Sequence, residues 1–453
     1  MSNEVIIIGG GLAGCEAAWQ AAELGCKVKL YEMRPKVETG AHVSGDLAEL
    51  ICSNSLGSNL PDRAAGVLKE ELRALGSHLI KAAEETQIAA GTALAVDRTL
   101  FARQVTRTLE QHPNISIIRE EVTSIPSHKV VILASGPLTS PSLSNSLSEF
   151  CGRSNLYFFD AISPIIDHES IDMDIAYTAS RWDDEEATEG DYINLPFHNK
   201  QDYLVFYKEL INAQRIELRE FEKSIEQGVD AGHDQFFEGC LPVEIIAQRG
   251  EKALLFGPMR PVGLKDPRVE RPPYAVVQLR RENHAGSMYN MVGFQTNLTF
   301  PEQRRVLRLI PGLANAEFSR YGQMHRNTFI SAPEILRPTL QTKNRADLFM
   351  AGQITGVEGY AGNIATGLLA GINAARFVQN KEMLNLPNGT MLGALLQYIT
   401  TTDSKTFQPM KANFGILPSL NDQEKKGSKR DRAFIYAQKC RTSMEEFLQI
   451  YEK

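Results

Sequence analysis

The sequence predicts an α/β chain built on a doubly wound parallel sheet, with nucleotide-binding elements near both ends and a smaller α+β insertion between them. Three observations lead there. Val5-Ile-Ile-Ile8 is a β-branched run that reads as a strand buried on both faces, and Gly9, Gly11 and Gly14 follow it as G-x-G-x-x-G. A second strand and glycine-rich turn, Ala351-Gly-Gln-Ile-Thr-Gly356 through Gly367, recurs far downstream. Between them, from about Asp172, acidic loops and short alternating strands replace the strand–glycine–helix rhythm.

The first unit can be followed element by element. In G-x-G-x-x-G the first glycine makes the tight turn and the second admits a pyrophosphate. The third lets the helix pack on the strand. Gly9, Gly10, Gly11, Leu12, Ala13 and Gly14 are therefore candidates for holding a dinucleotide. Ala13 to Leu24 is rich in helix formers, and Gly25 stands where a helix ends. Lys27 to Tyr31 predicts a second strand, ending at Glu32, eighteen residues after Gly14, where a carboxylate takes a ribose hydroxyl. Leu60 to Ala83 reads as one helix with Pro61 near its start. Asp97 suits an N-cap and Arg98 an ion pair. Val130 to Ala134 is a short buried strand, and Ala134-Ser135-Gly136 resembles the signature by which two-dinucleotide-binding flavoproteins return the chain to their cofactor. The downstream turn offers Gly352, Gln353, Gly362, Asn363 and Ile364, with a helix to about Phe377 whose N-terminus would face a flavin. The fold class is thus a Rossmann-type FAD-binding domain interrupted by an insertion: residues 1–171, insertion 172–325, and residues 326–453 with a helical tail.

Composition narrows the function. A net charge of −7 argues against non-specific nucleic-acid binding, while leaving room for a local basic face. No stretch of about eighteen apolar residues exists, so no membrane span is expected, and the chain is read as cytoplasmic. Six cysteines, none in C-x-x-C, point to free thiols in a reducing compartment. No metal-ligand cluster is seen, so no metal is expected. Cys15 and Cys26 flank the first helix and read as core. Cys52, in Leu50-Ile-Cys-Ser-Asn-Ser-Leu56, and Cys240, between Gly239 and Leu241-Pro242, sit in unusual local settings. Residue type alone leaves each of these two open between structural and reactive. The basic loop from Arg260 to Arg271 reads as a solvated surface or a polyanion contact, such as a folate tail or an RNA backbone, and the cluster Lys425, Lys426, Lys429, Arg430 and Arg432 as a solvated helix face or an RNA contact.

Several motifs together carry a resemblance. Gly9 to Gly14, Leu50 to Leu56, Ala93-Leu-Ala-Val-Asp-Arg98, Phe237-Glu-Gly-Cys-Leu-Pro242, Met324-His-Arg-Asn-Thr-Phe329 and Phe407-Gln-Pro-Met410 resemble, essentially end to end, the folate- and FAD-dependent tRNA (uracil-5-)-methyltransferases, the TrmFO family. The larger wobble-uridine modifying flavoproteins share the glycine-rich start, but they are longer. The resemblance implies methyl transfer to C5 of a T-loop uridine in tRNA. The carbon would come from 5,10-methylenetetrahydrofolate, and the electrons from NADH or NADPH through FAD. It implies Cys240 as nucleophile at C6 and Cys52 as its catalytic partner. Two cysteines suit this chemistry, because C5 becomes nucleophilic only after a thiolate adds at C6, and its proton must later reach a base. Arg280, Asn283 and His284 are candidates to frame the folate. The alternatives are an FAD-dependent thiol or flavin oxidoreductase, and an RNA-binding flavoprotein subunit of wobble-uridine modification.

Overall fold

A computed structural model of the chain describes residues 3–39, 41–127, 129–152, 156–181, 191–216, 241–266 and 268–451. Glu4–Ile8, with Val5 and Ile7 wholly buried, lies at the centre of a five-stranded parallel sheet. The strand order is Leu348–Met350, Val130–Leu133, Glu4–Ile8, Lys27–Tyr31, Ile115–Ile118. Val5 to Ile8 pair with the wholly apolar Val130 to Leu133 on one side, and on the other Val5 meets Val28 and Ile7 meets Leu30, with the intervening Ile6 beside Lys29. The helix Leu12–Glu23 makes the first crossover and ends at Gly25, whose φ of +84° suits glycine. It packs on Tyr360–Val378 at very short range. A Cβ added at Gly371 would lie 2.5 Å from the Ala17 carbonyl oxygen, and one at Gly367 would collide with Ala13. These glycines let two buried helices lie backbone to backbone on the same sheet.

The predicted helix from Leu60 to Ala83 is instead two helices, Ala64–Ala74 and His78–Glu85. Gly76 turns the chain with φ +75°, and the Ser77 side chain restarts it by accepting from the Ile80 amide. Buried Glu16 takes the first-turn amides of His78 (3.1 Å) and Leu79 (2.9 Å), which makes the break stable. Asp97 caps Arg98–Gln111 by accepting from Thr99 and Leu100, as its sequence position predicts.

A six-stranded antiparallel sheet follows, ordered Tyr177–Thr178, Tyr192–Phe197, Ala275–Arg281, Met288–Met291, Ile165–Asp167, Phe318–Arg320. It carries its own apolar core, with Phe197, Phe206, Phe294 and Leu195 fully buried. The first core draws on residues from both ends of the sequence, Val5 to Leu147 and Phe329 to Met444. Paired strands Leu156–Ala161 and Met324–Phe329 mark where the chain leaves that core and returns. The doubly wound, interrupted α/β architecture predicted from the sequence is therefore the one observed. Among the described residues no helix is long and apolar enough to cross a membrane.

Candidate active site

The carboxyl ends of the parallel strands open into a cleft of about 980 Å³. Ligands of open α/β sheets bind at that edge. Gly9, Gly10, Gly11, Leu12 and Ala13 line it at the first turn, Glu32 and Arg34 at the second strand, and Gly352, Gln353 and Asn363 at the downstream turn. Gly14, Gly362 and Ile364 stand behind this lining. A Cβ added at Gly14 would collide with the Gly9 carbonyl and one at Gly362 with Val357, and Ile364 is fully buried. Glu32 is buried and strongly bound: Oε2 accepts from the Gly10 amide and Oε1 from the Arg34 amide and Nε, each at 2.9 Å. Burial opposes its charge, but Arg34 and these amides hold it below the usual carboxylate range. Oε2, with one donor, keeps a lone pair for a ribose hydroxyl.

Two features of the cleft fit an extended dinucleotide. Both helices that point into it, Leu12–Glu23 and Tyr360–Val378, begin at glycines, Gly11 and Gly359, without a side-chain cap. Uncapped first-turn amides aimed at a cavity are anion donors. Asn363 Oδ1 is buried among the lining residues without a protein partner.

At the far end of the cleft, Ile51 and Tyr360 lead to Cys52. Three arginines staple the segment that carries this cysteine. Arg98 Nη1 donates to the carbonyls of Leu50 (2.8 Å) and Ile51 (3.1 Å), while its Nη2 lies 2.9 Å from Glu282. Arg320 donates to the carbonyls of Ile51 (3.2 Å) and Ala41 (3.0 Å). Arg280 donates to Asn54 Oδ1 (2.8 Å) and Ser53 Oγ (2.6 Å). The Tyr360 hydroxyl accepts from the amides of Cys52 and Ser53, both at 3.0 Å. Burial, then the neighbouring Cys52, push that phenol upward, so it keeps its proton at neutral pH. Burial works against the charge of Arg98, yet Glu282, Tyr360 and Cys52 raise it above its ordinary value. The guanidiniums thus place positive charge beside the thiol, a setting in which cysteines act as nucleophiles or bases.

The structure puts Arg280 against the Cys52 segment. Asn283 folds back on its own hairpin, where Nδ2 donates to Ser287 Oγ at 2.9 Å, and the exposed His284 donates its amide to Asp97 at 2.9 Å. Cys240 lies outside the described residues. Cys15 and Cys26 are fully buried, as core residues should be. Arg268, in the proline-rich basic loop, is taken up by Asp266 and by the carbonyls of Asp174 and Ile175. Sequence reading missed Arg34, Arg320, Glu282 and Tyr360. The partners of Arg320 and Tyr360 lie hundreds of residues away, and of the arginines on the Cys52 segment the sequence singles out Arg98, as an ion-pairing residue, and Arg280, for the folate.

Comparison with known proteins places this geometry. A family model described as glucose inhibited division protein A matches residues 4–382. The methylenetetrahydrofolate--tRNA-(uracil-5-)-methyltransferase TrmFO of Exiguobacterium sp. is 52% identical over 447 residues, covering 99% of both chains. The chain belongs to the TrmFO family. The TrmFO of Bacillus pumilus is 53% identical over 440 residues, 97% of this chain and 98% of that one. Among solved structures, Aquifex aeolicus GidA superposes with a TM-score of 0.66 at 19% identity. That match covers 99% of this chain and 75% of GidA, so it speaks to the TrmFO fold alone.

Proposed function

We propose that the chain methylates C5 of the T-loop uridine of tRNA in the cytoplasm, taking the carbon from 5,10-methylenetetrahydrofolate. NADH or NADPH is the reductant. The observation that carries this reading is Cys52 held by three arginines and Tyr360 at the end of a dinucleotide-shaped cleft, in a chain with TrmFO relatives over its whole length. Gly9 to Gly14, Glu32, Gly352, Gln353, Gly362, Asn363 and Ile364 would hold FAD, which when bound supplies the redox step that makes methylene into methyl. The two separate cores support the three-part division 1–171, 172–325 and 326–453, with the insertion's core reaching back to Ile166 and Ile171.

The residues divide the remaining work. The Cys240 thiolate adds to C6 of the uracil, and the ring then carries its electron density at C5. Cys52, in the field of Arg98 and Arg320, takes the C5 proton. Arg280, with Asn283 and His284 on the same hairpin, frames the folate. Because the uridine lies within a folded loop, it must be extruded to reach either thiol.

Mass spectrometry of tRNA after reaction with labelled methylenetetrahydrofolate tests the reading: label should appear on the T-loop uridine and nowhere else. A 5-fluorouridine tRNA should form a covalent adduct that Cys240→Ala abolishes. Label absent from that uridine in the flavin-loaded enzyme sinks the proposal, and unchanged folate affinity and turnover in His284→Ala remove that residue from it.

A further inference from the structure

The chain is acidic overall, yet Lys425, Lys426, Lys429, Arg430 and Arg432 are all exposed where the helix Lys429–Tyr451 begins. This is the wrong end for stability, because a helix N-terminus carries about half a positive charge. Nor are these cations needed as caps. Ser428 Oγ accepts from the Asp431 amide at 3.2 Å, and the Ser428 amide donates to Asp431 Oδ2 at 2.9 Å, a closed capping box. Lys425 has only a loose pair, 3.7 Å from Asp422. Among the described residues Lys426, Lys429, Arg430 and Arg432 make no ion pair within 4 Å. Four cations without an ion pair among the described residues, at the disfavoured end of a helix, cost stability and leave their charge available to an external anion.

Their position points to which one. Arg430 and Phe434, the latter 57% exposed, share a shallow cavity with Leu60, Pro61 and Arg63; its two carboxylates are already engaged, Asp62 by Arg63 at 3.0 Å and Asp431 by the Ser428 capping box. Arg441 clamps the helix there, donating to Glu70 (2.8 Å) and to the Pro61 carbonyl (2.7 Å). Leu60 follows Cys52 by eight residues, which even a fully extended chain spans in at most ~29 Å. The basic face is therefore rigidly mounted within reach of anything large enough to cover the cysteine.

We infer that this face contacts the phosphate backbone of the tRNA substrate, with Phe434 offering a ring on which an unpaired base stacks. The inference rests on the proposed function. Cation–phosphate contacts position a nucleic acid without reading its sequence, and an exposed aromatic beside them is the usual platform for an unstacked base.

The test uses full-length, FAD-loaded enzyme with Lys426, Lys429, Arg430 and Arg432 all changed to Gln, beside a charge-preserving variant (Lys426→Arg, Lys429→Arg, Arg430→Lys, Arg432→Lys). Direct tRNA binding is followed across salt concentration, and methylation across tRNA concentration. The neutral variant should bind tRNA ~tenfold or more weakly, with a salt dependence shallower by about 0.7–0.9 per lost contact. KM for tRNA should rise while kcat at saturation and flavin content stay at wild-type levels, and the charge-preserving variant should match wild type. An unchanged salt slope and KM overturn the inference, including a case where the face captures an acidic protein instead. The binding slope decides this surface even in an enzyme that makes no methyluridine, a result that counts against the proposed function alone.

Discussion

Arg98 offers the sharpest separation between holding the fold and holding the reactive segment. Its guanidinium serves Glu282, which is 3% exposed on the second sheet's hairpin, and the carbonyls of Leu50 and Ile51 beside Cys52. Arg98→Met strands a buried carboxylate, and removing one partner of a buried pair costs ~3–5 kcal/mol. Glu282→Gln in the same chain removes the stranded charge and should recover ~0.5–3 kcal/mol, the range of coupling between contacting residues. The double variant still lacks both carbonyl bonds, so Cys52 stays loosely placed. Stability and turnover should then part company: chemical denaturation followed by circular dichroism recovers, while methyl transfer at saturating folate and tRNA remains low. Two results would refute this account. One is a loss below ~1 kcal/mol for Arg98→Met. The other is a double variant no more stable than the single one.

Other expectations follow from single contacts. Asn363→Leu removes a buried carbonyl oxygen that has no protein partner. Flavin-free protein should therefore be no less stable, while FAD affinity falls ~5- to 150-fold, the loss of ~1–3 kcal/mol for a group the ligand would satisfy; fluorescence titration with FAD measures it. Gly371→Val sets a branched side chain where even a Cβ lies 2.5 Å from the Ala17 carbonyl oxygen. Overpacking of this kind costs ~1–3 kcal/mol or more, visible as a lower denaturation midpoint with reduced flavin content. Burial pulls the imidazoles of His42 and His78 down to about 4. The unfolded chain protonates these rings near pH 6.5 and the folded chain only near 4, so these rings make stability fall as pH drops through that window. His78→Gln should flatten that acid limb in denaturation curves, and an identical slope would rule His78 out as a contributor.

How much of this was legible depended on range. Gly9 to Gly14, Glu32 and the second turn at Gly352 announce themselves because strand, glycine, helix and acid follow one another locally. Asp97 could be assigned as a cap for the same reason. The break at Gly76 was not legible, because the apolar positions from Val67 to Leu79 keep helical spacing across it. What stabilises the break is Glu16, far upstream. The staples on Cys52 were hidden for the same cause: Arg280, Arg320 and Tyr360 reach the segment from more than two hundred residues downstream. Sequence could mark Cys52 as unusual, but not the charge gathered around it.

Long-range capping also explains why the cleft is a binding site rather than a gap in packing. The chain spends buried carboxylates elsewhere to close helix starts: Glu16 on His78–Glu85, and Glu71 on Met391–Thr401 through the amides of Met391 (2.6 Å) and Leu392 (2.8 Å). Glu71 is held there although burial pushes its carboxyl up to about 8. A fold that accepts such desolvation to satisfy helix N-termini nonetheless leaves the two that face the cleft, at Gly11 and Gly359, without any side-chain cap. Buried amides need partners wherever they lie. At these two starts, which open on the cleft, the amides are left for a partner from outside the chain, and negative charge such as that of a dinucleotide's phosphates suits them.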